Sequence, residues 1–515
     1  MLRQLTGRAA ATALLLALCS VPLAAVEARE VLGVAHAAGR YNFTPDDYLD
    51  EGADRVLELG GEVIKVFLVP EMVQSFYSFN SDWSPTPLDV VELAQRPYFQ
   101  SLFAKPFSTY LLVVVPVTGA PQFVDGLSKE EADAERDQMY RLTKYLLSAY
   151  AHSGKTFVLQ NWEGDHVLRF GLGPGVAPDA VRLQGMADWW NVRQEGVRQA
   201  RQEVGEDGVE VDHAAEVNFL ADAMAGKVTA TNGVLPATDC DLYSYSSWDL
   251  DFTSRRLVAA LDYLATKAPA SRRFGHRNIY VGEYGMGKTD GAPEGKRYDR
   301  IRQLMEAAIA WGVRYAVYWQ VYCNEPLEGF RGAGRPRNRD LRGHWLVRPD
   351  GQRAPIWETF VTQLRSSWQR AALETSGELF VTVARRDHAL AAALAARDTW
   401  QVLTVKDWNG GALESGDTVS LQAHDGLFVS AKGSTGGRVF AKPDLAGGNE
   451  LFTIRRVDGE GHEAPGRIDP GDGFTLQAFA SHRYLGTDAS GRGAIRALRT
   501  VPTATEVFHY RIPDE

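Results

Sequence analysis

Two glutamates, about 120 residues apart, stand where a pair of carboxyl groups could do chemistry. Glu163 ends the run 156–163 (TFVLQNWE), and Glu283 ends the run 278–283 (NIYVGE). Each run is short, largely apolar and typical of a buried β-strand. A strand interior excludes an unpaired carboxylate, so each glutamate is expected where its strand opens into a pocket or loop. Two carboxylates at the same end of a parallel barrel are what cleavage of a glycosidic bond requires.

The elements that must position this pair are predicted from the alternation of segments between residues 31 and 368. Eight short apolar runs alternate with longer amphipathic segments, which indicates parallel strands covered by helices. Eight such units close a (β/α)8 TIM barrel, so the predicted fold class is α/β. The alternative is an open doubly wound sheet, but residues 33–36 lack the Gly-rich phosphate turn that it requires after its first strand. The predicted strands begin near residues 31, 63, 110, 156, 209, 240, 278 and 315.

A second unit is predicted after Trp368, where helical periodicity fades and short β-rich runs with Gly and Asp turns recur. The runs form a weak repeat of three units of about 35–55 residues, which indicates a β-trefoil. The repeated G-x-[FY]-[LV] strand resembles the fascin-like and ricin-like trefoil families. The matching runs are 419–423 with 474–478, 426–430 with 482–486, and 451–454 with 507–510. The predicted boundaries are a signal peptide at 1–28, the barrel at 29–368 and the trefoil at 378–515.

The strand order and the two glutamates give the barrel a family resemblance. It resembles the clan-A retaining glycoside hydrolases, which carry an acid/base Glu on strand four and a nucleophile Glu on strand seven. The resemblance implies that Glu163 is the acid/base and Glu283 the nucleophile. It also implies that Tyr245, on strand six, steadies the nucleophile. Trp319, in the run VYWQ at the end of strand eight, matches the platform under the sugar in these families.

One position departs from the family pattern. The family has Asn directly before the acid/base Glu, where it binds the sugar 2-hydroxyl, whereas this chain has Trp162 there and Asn161 one residue earlier. Because a strand alternates its faces, Asn161 and Glu163 are expected on one side and Trp162 on the other, unless a bulge intervenes. The candidates to replace the missing contact lie near strand five: His213, Glu216 and Asn218.

Other aromatic and histidine residues near the predicted loop mouths are either substrate contacts or packing groups. An indole face at Trp83, Trp162, Trp248 or Trp319 would stack on a pyranose ring, or it would pack the core. His36 and His166 would bond sugar hydroxyls, or they are satisfied core groups. The residues predicted to bind substrate are Asn161, Trp162, His36, Asn218, Tyr245 and Trp319.

Charge and cysteine content exclude several function classes. The net charge of −10 leaves no basic stripe to neutralise phosphates, which argues against a nucleic-acid partner and against an anionic membrane surface. His and Cys spacing shows no zinc pattern, and the predicted chemistry requires no metal or organic cofactor. Cys240 and Cys323 are assigned to strands that are not neighbours in the barrel, so free thiols are expected. The run 331–342, rich in arginine, is predicted to be a solvated loop over the barrel mouth.

The N-terminus has the pattern of a secretory signal peptide. Arg3 and Arg8 precede an apolar stretch over residues 9–26, and a small-residue cleavage site is placed at residues 26–28. The stretch is short and rich in Ala for a membrane span. The chain is therefore predicted to be secreted, either outside the cell or into a periplasm.

Together these features predict a secreted retaining glycoside hydrolase that cleaves a β-linked oligo- or polysaccharide by double displacement. The predicted trefoil either binds a glycan or packs against the barrel. The alternative is a catalytically inactive barrel that acts with the trefoil as a carbohydrate-binding or adhesion protein, and the displaced Asn161 favours it. A cytoskeletal role like that of fascin is disfavoured by the signal peptide and the enzyme-like barrel.

Overall fold

The computed structural model describes residues 25–116, 121, 123–330, 332, 334–394, 399–432 and 437–512. The predicted signal peptide lies mostly outside the described residues. Within them, eight parallel strands close into the predicted barrel, because the first strand pairs with both the second and the eighth. The strands are β1 Leu32–Ala35, β2 Val63–Leu68, β3 Thr109–Val114, β4 Lys155–Gln160, β5 Val209–Val217, β6 Leu242–Ser246, β7 Ile279–Tyr284 and β8 Ala316–Tyr318.

The helices that cover the barrel begin and end at the signals expected from local chemistry. Ser128 and Glu131 form a reciprocal capping box at the start of α6, and α12 ends at Gly312, whose φ of 98° suits glycine. The helices are α1 Ala28–Val31, α2 Tyr48–Leu59, α3 Val73–Phe76, α4 Val90–Ala94, α5 Pro97–Ala104, α6 Lys129–Ala149, α7 Gly164–Leu168, α8 Ala180–Val204, α9 Leu220–Met224, α10 Ala230–Gly233, α11 Ser254–Lys267, α12 Glu294–Trp311 and α13 Ile356–Gln363.

The barrel interior is apolar over much of its depth and polar at the carboxyl ends of the strands. Alternate residues of each strand point inward. Towards the amino ends these are apolar, as with Val63, Val158 and Leu242. Further along β2 and β6 the inward positions are taken by Lys65 and Ser244, which are fully buried. A buried polar layer must satisfy its own hydrogen bonds, so the same layer that interrupts the core also fixes side-chain geometry.

The remainder of the chain forms an antiparallel β region with its own apolar core. This agrees with the predicted all-β character, whereas the three-fold trefoil arrangement stays a prediction. Its strands are β9 Ser367–Thr375, β10 Phe380–Val383, β11 Leu390–Leu394, β12 Val402–Asp407, β13 Thr418–Gln422, β14 Val429–Ser430, β15 Phe440–Ala441, β16 Phe452–Val457, β17 Glu463–Ala464, β18 Gly473–Ala478, β19 Tyr484–Gly486, β20 Gly493–Ala494, β21 Arg496–Arg499 and β22 Phe508–Arg511.

The boundaries between these regions differ from the predicted ones at two places. Residues 369–377, left between the predicted domains, lie largely in β9, which pairs with β12 and β22. Residues 26–28, assigned to the signal peptide, are part of the fold: Val26 and Glu27 pair with β9, and Ala28 is fully buried. The segment that precedes the barrel in the chain is thus paired with the first strand that follows the barrel.

Two smaller predictions concern cysteine and membrane segments. Cys240 and Cys323 are buried and unbonded, which confirms the prediction of free thiols. None of the helices in the described residues is both long enough and apolar enough to span a bilayer.

Candidate active site

Glu163 and Glu283 meet at the carboxyl end of the barrel, where one serine hydroxyl contacts both. Ser246 Oγ, at the end of β6, lies 3.1 Å from Glu163 Oε1 and 3.1 Å from Glu283 Oε2. These two carboxylate oxygens are therefore separated by no more than the two contacts laid end to end. This close approach is compatible with the ~5–5.5 Å between the carboxyl groups of retaining glycosidases.

A β-bulge turns Glu283 into the barrel. On β7, Tyr280 and Gly282 already occupy inward positions, so simple alternation would direct Glu283 outward. The register with β6 shifts by one residue, because Tyr245 pairs with Val281 while Ser246 pairs with Glu283. An extra residue in one strand re-aims the side chain that follows it.

Gly282 makes room for this bulge. A Cβ at this position would lie 2.0 Å from Ser244 Oγ and 2.3 Å from Glu216 Oε2, closer than any side chain tolerates. The glycine in the run VGEY is therefore required by close approach rather than by backbone conformation.

The Glu283 carboxylate is held by three donors, one from β2, one from β6 and one from the loop after β6. Lys65 Nζ on β2 donates to Oε1 at 2.8 Å, and Trp248 Nε1 donates to Oε2 at 2.9 Å. Ser246 completes the set. The Trp248 ring packs against His344 at a centroid distance of 5.3 Å, and Glu325 holds His344 Nδ1 at 2.9 Å. Hydrogen bonds from three directions fix the orientation of the Glu283 side chain.

Glu163 lies in the turn between β4 and α7 rather than at the end of a strand. Its φ of 29° is uncommon for a residue other than glycine and costs of order 1–3 kcal/mol, so it requires support from its surroundings. The support is a hydrogen bond from its backbone N–H to Glu216 Oε1 at 3.1 Å. Gly164 follows because a Cβ there would lie 2.5 Å from the Glu216 carbonyl oxygen and 2.8 Å from the Trp190 ring.

A third carboxylate, Glu216, lies beneath the pair, together with Lys65. Both side chains are fully buried, and Lys65 Nζ lies 3.3 Å from Glu216 Oε2. The same oxygen accepts from Gln160 Nε2 and from Ser244 Oγ, each at 2.8 Å. Sequence reasoning assigned no role to Lys65 and considered Glu216 only as a sugar contact. The signal for Lys65 was a lone charge at an inward position of the apolar run VIKVFL.

The charges in this layer separate the two glutamates. Burial, with the nearby Glu283 and Glu216 carboxylates, raises the pKa of Glu163 to about 8. Burial disfavours the charge on Lys65, but Glu216 and Glu283 outweigh that effect and raise the pKa of Lys65. Burial is the largest cause of the raised pKa of Glu163, and the two carboxyl groups that face Lys65 add to it, so Glu163 is protonated near neutral pH.

The single hydroxyl proton of Ser246 is consistent with a protonated Glu163. A hydroxyl can donate to only one of its two carboxyl neighbours. Both contacts are satisfied together when Ser246 donates to an ionised Glu283 and accepts from a protonated Glu163. The arrangement thus supplies one acid and one carboxylate at opposite sides of one hydroxyl, which is what general acid catalysis beside a nucleophile requires.

Tyr245 does not hold Glu283, contrary to the prediction. Its side chain points away from the barrel interior, and its hydroxyl donates to Asp249 Oδ1 at 2.6 Å. On β6, Leu242 faces inward, so Ser244 and Ser246 share its face while Tyr245 lies on the other. The role predicted for the tyrosine is filled by Ser246 and Trp248.

Asn161 is occupied by protein groups. Its Oδ1 accepts from Trp190 Nε1 at 3.0 Å and from the Glu216 N–H at 2.9 Å, and its Nδ2 donates to the Glu216 carbonyl at 3.1 Å. Asn161 therefore joins β4 to β5 and α8. The expectation that it shares an orientation with Glu163 is wrong, since the chain leaves the strand after Gln160.

Three other predicted residues lie outside the pocket or at its edge. His36 is fully buried and enclosed by tyrosines, with Nε2 2.8 Å from the Tyr48 carbonyl, so it cannot reach a substrate as predicted. His213 is also fully buried, and it bonds Arg193 of α8. Asn218 Oδ1 accepts from the Asp165 N–H at 3.0 Å and thereby holds the start of α7; its contact with substrate stays a prediction.

The predicted aromatic residues flank the two glutamates differently. Trp162 is 44% exposed beside Glu163 and stacks on His166, with an interplanar angle of 13°. His166 Nε2 lies 3.2 Å from Glu163 Oε2. Trp319 is buried at the top of the barrel core, where it packs against Phe67. Trp162 therefore offers an exposed ring beside Glu163, whereas Trp319 belongs to the buried core of the barrel.

Within the described ranges, no group of three or more His, Cys, Asp or Glu side chains has an arrangement that could hold a metal ion.

Arg342, at the end of the predicted solvated loop, is half-buried and pairs with Glu325 and Asp290. Arg331 falls outside the described residues.

No protein-family model matches the sequence, and no curated protein matches it. Solved structures similar to the chain include a GH39 β-xylosidase from Caulobacter crescentus, 14% identical with a TM-score of 0.37, covering 75% of this chain and 79% of its own. An SDF2-like protein from Arabidopsis thaliana is 13% identical with a TM-score of 0.23, covering 28% of this chain and 91% of its own. A Caenorhabditis elegans protein of unknown function is 12% identical with a TM-score of 0.23, covering 28% and 94%.

Proposed function

We propose that this chain is a retaining glycoside hydrolase that cleaves a β-linked glycan by double displacement. The observation that carries the proposal is the Ser246 hydroxyl placed 3.1 Å from both Glu163 and Glu283. It sets a carboxyl spacing compatible with retention, and it joins two carboxyls whose surroundings make one an acid and the other a base.

In the first step, the Glu283 carboxylate attacks the anomeric carbon, and Glu163 donates its proton to the departing oxygen. The glycosidic C–O bond breaks as the bond between the sugar and Glu283 forms. In the second step, Glu163 is ionised and removes a proton from water, which attacks the same carbon and releases Glu283. Two inversions at one carbon give net retention.

The aromatic residues support a substrate placed across this pair. The acid acts on the leaving group, so the side of the pocket beside Glu163 is the leaving-group side. Trp162 is the exposed ring there, and a ring face of this kind stacks on a pyranose. Trp319 would then lie under the sugar that becomes attached to Glu283.

The second candidate function is a catalytically inactive barrel that binds carbohydrate. Asn161 favours it, because its amide is occupied by Trp190 and Glu216 rather than free for a sugar 2-hydroxyl. Secretion and glycan binding by the β region are further proposals that follow from the sequence. A panel of aryl β-glycosides separates the two functions, since only the hydrolase releases the aryl group.

The roles of the two glutamates are tested with Glu283→Ala and Glu163→Ala. Glu283→Ala should abolish hydrolysis of every substrate, because no glycosyl-enzyme can form. Glu163→Ala should lose about 10²–10⁴-fold on substrates with poor leaving groups. With an activated aryl glycoside it should show a pre-steady-state burst, since glycosylation survives while no base activates water.

Azide provides the control for both variants. It needs no general base, so it should restore turnover of Glu163→Ala and give a β-glycosyl azide. If azide rescues Glu283→Ala at all, that variant should give the inverted α-glycosyl azide, because only one displacement remains. A β-glycosyl azide from Glu283→Ala, with the inverted azide from Glu163→Ala, would mean that the roles are exchanged. Unchanged rates in both variants would place the catalytic pair elsewhere.

A further inference from the structure

We propose that Glu216 is a positioning residue that holds both catalytic glutamates, Glu163 directly through its backbone and Glu283 through Lys65. This inference rests on the proposed function, in that the two glutamates it positions are the proposed acid/base and nucleophile. The contacts themselves are properties of the fold.

The two oxygens of Glu216 hold different partners. Oε1 accepts the backbone N–H of Glu163 at 3.1 Å, the residue whose φ of 29° needs external support. Oε2 faces Lys65 Nζ at 3.3 Å, and the same ammonium donates to Glu283 Oε1 at 2.8 Å. One buried carboxylate thus connects a turn after β4 with a carboxylate on β7, from a position on β5.

The surroundings of Glu216 fix its own orientation. Gln160 Nε2 and Ser244 Oγ each donate to Oε2 at 2.8 Å, and Gln160 is held in turn by the Tyr280 hydroxyl at 2.7 Å. Every neighbour within hydrogen-bonding distance is a donor, so the ionised form of Glu216 is fully satisfied. Gly282 leaves the space that this cluster occupies, since a Cβ there would meet Glu216 Oε2 at 2.3 Å.

Glu216 also contributes charge. Its carboxylate is one of the groups that raise the pKa of Glu163, after burial and Glu283. Loss of that negative charge should therefore lower the pKa of Glu163. The charged and titratable groups facing this cluster are Lys65 on β2, Glu163 and His166 around the turn into α7, and Tyr280 and Glu283 on β7.

Two substitutions separate charge from position. Glu216→Gln keeps the side-chain length and removes the charge, so the Glu163 carboxyl should titrate below its wild-type value of about 8. Glu216→Asp keeps the charge and shortens the side chain, so the Glu163 amide should lose its acceptor. Misplacement of a catalytic group by about 1 Å costs on the order of 10²-fold, which is the kcat loss expected for Glu216→Asp.

The first readouts do not require turnover. The Glu163 carboxyl is followed by infrared difference titration, with its band assigned by its loss in Glu163→Gln, and the Glu163 amide is followed by hydrogen exchange. Glu216→Gln should shift the titration to lower pH, and Glu216→Asp should speed exchange of the amide. If the protein is active, the decline of kcat/KM at alkaline pH should begin at lower pH in Glu216→Gln than in wild type.

The matched control is Glu135→Gln, an equally buried carboxylate on α6 that pairs with Arg193 outside this layer. It should lower thermal stability without moving the Glu163 titration. The proposal is overturned if folded Glu216→Gln titrates at the wild-type pH, or if Glu216→Asp keeps both the protected amide and full kcat. Should wild-type protein hydrolyse no glycoside, the proposed function fails, while the titration and exchange results still decide the role of Glu216.

Discussion

Among the described residues, two lysines are fully buried beside a glutamate, and the number of carboxyl groups around them differs. Lys65, in the barrel, faces two carboxylates, Glu216 at 3.3 Å and Glu283 at 2.8 Å. Lys406, on β12 of the β region, faces one, Glu306 of α12 at 2.8 Å. Both ammonium groups have lost all contact with solvent, so burial alone cannot explain how they differ.

The number of carboxylates determines the outcome. Two of them raise the pKa of Lys65 despite burial. At Lys406, burial lowers the pKa to about 8. Glu306 only partly offsets this effect of burial, and the nearby positive charge of Arg302 lowers the pKa further. Glu306 is shared between two cations, since Arg302 Nε also lies within 3.2 Å. At the interface between barrel and β region two cations share one carboxyl group, whereas in the barrel two carboxyl groups share one ammonium.

The largest expected effect distinguishes the two buried lysines by substitution. Lys65→Met should lower kcat on the order of 10²–10³-fold, the usual loss when one preorganised donor to a reacting group is removed. Lys406→Met should instead destabilise the fold by up to about 3–5 kcal/mol, since it removes the buried cation beside Glu306 and leaves only the partly exposed Arg302. The measurements are steady-state kinetics and denaturant unfolding of both variants.

Loss of activity in Lys406→Met, measured at a temperature well below its unfolding midpoint, would contradict the assignment of Lys406 to stability and Lys65 to activity. So would wild-type kinetics in Lys65→Met.

The next effect concerns the raised pKa of Glu163 and predicts how stability depends on pH. The raised pKa of Glu163, about 8 against about 4.3 when unfolded, means that the folded state binds this proton more tightly. Stability is then greatest below the unfolded value and is lost as pH rises towards the folded value. Glu163→Gln lacks that titration, so its stability advantage over wild type should grow between about pH 4.5 and 8 to a few kcal/mol. Thermal unfolding across this range checks it; an advantage that is constant with pH would show that Glu163 titrates normally.

The smallest effect tests which residue of β6 supports the pair. Ser246→Ala removes a hydrogen bond to a charged group, worth about 1.5–3 kcal/mol, so kcat should fall about 10–100-fold. Tyr245→Phe removes only the outward contact with Asp249 and should keep kcat within about twofold. Aryl glycoside kinetics of the two variants decide between them, and a larger loss in Tyr245→Phe would restore the predicted role of that tyrosine.

The barrel and its pair of glutamates could be predicted because their signals are local. Apolar runs interrupted by Gly-Glu or Trp-Glu are visible in the sequence, and parallel strands bring their carboxyl ends together. The antiparallel character of the C-terminal part followed from its short β-rich runs.

The supporting residues could not be predicted in the same way, because they depend on strand phase. A one-residue change in phase exchanges the two faces of a strand, so a family resemblance that implies a role for Tyr245 does not reveal that Ser246 holds the inward position. The bulge that turns Glu283 inward has no signal beyond the glycine before it. Lys65 was detectable as a charge within an apolar strand, but its partners lie 151 and 218 residues away in sequence.

The hydroxyl of Ser246 has one more consequence, for the time course of the proposed reaction. In the resting state Glu283 is ionised and Glu163 protonated; in the glycosyl-enzyme Glu283 is an ester and Glu163 carries the charge. Rotation of one hydroxyl, a picosecond-to-nanosecond event, redirects its hydrogen from the first glutamate to the second. Lys65 and Glu216 face the same total charge in both halves of the cycle. The layer therefore keeps the same net charge in both halves of the cycle, and only the position of that charge changes, from Glu283 to Glu163.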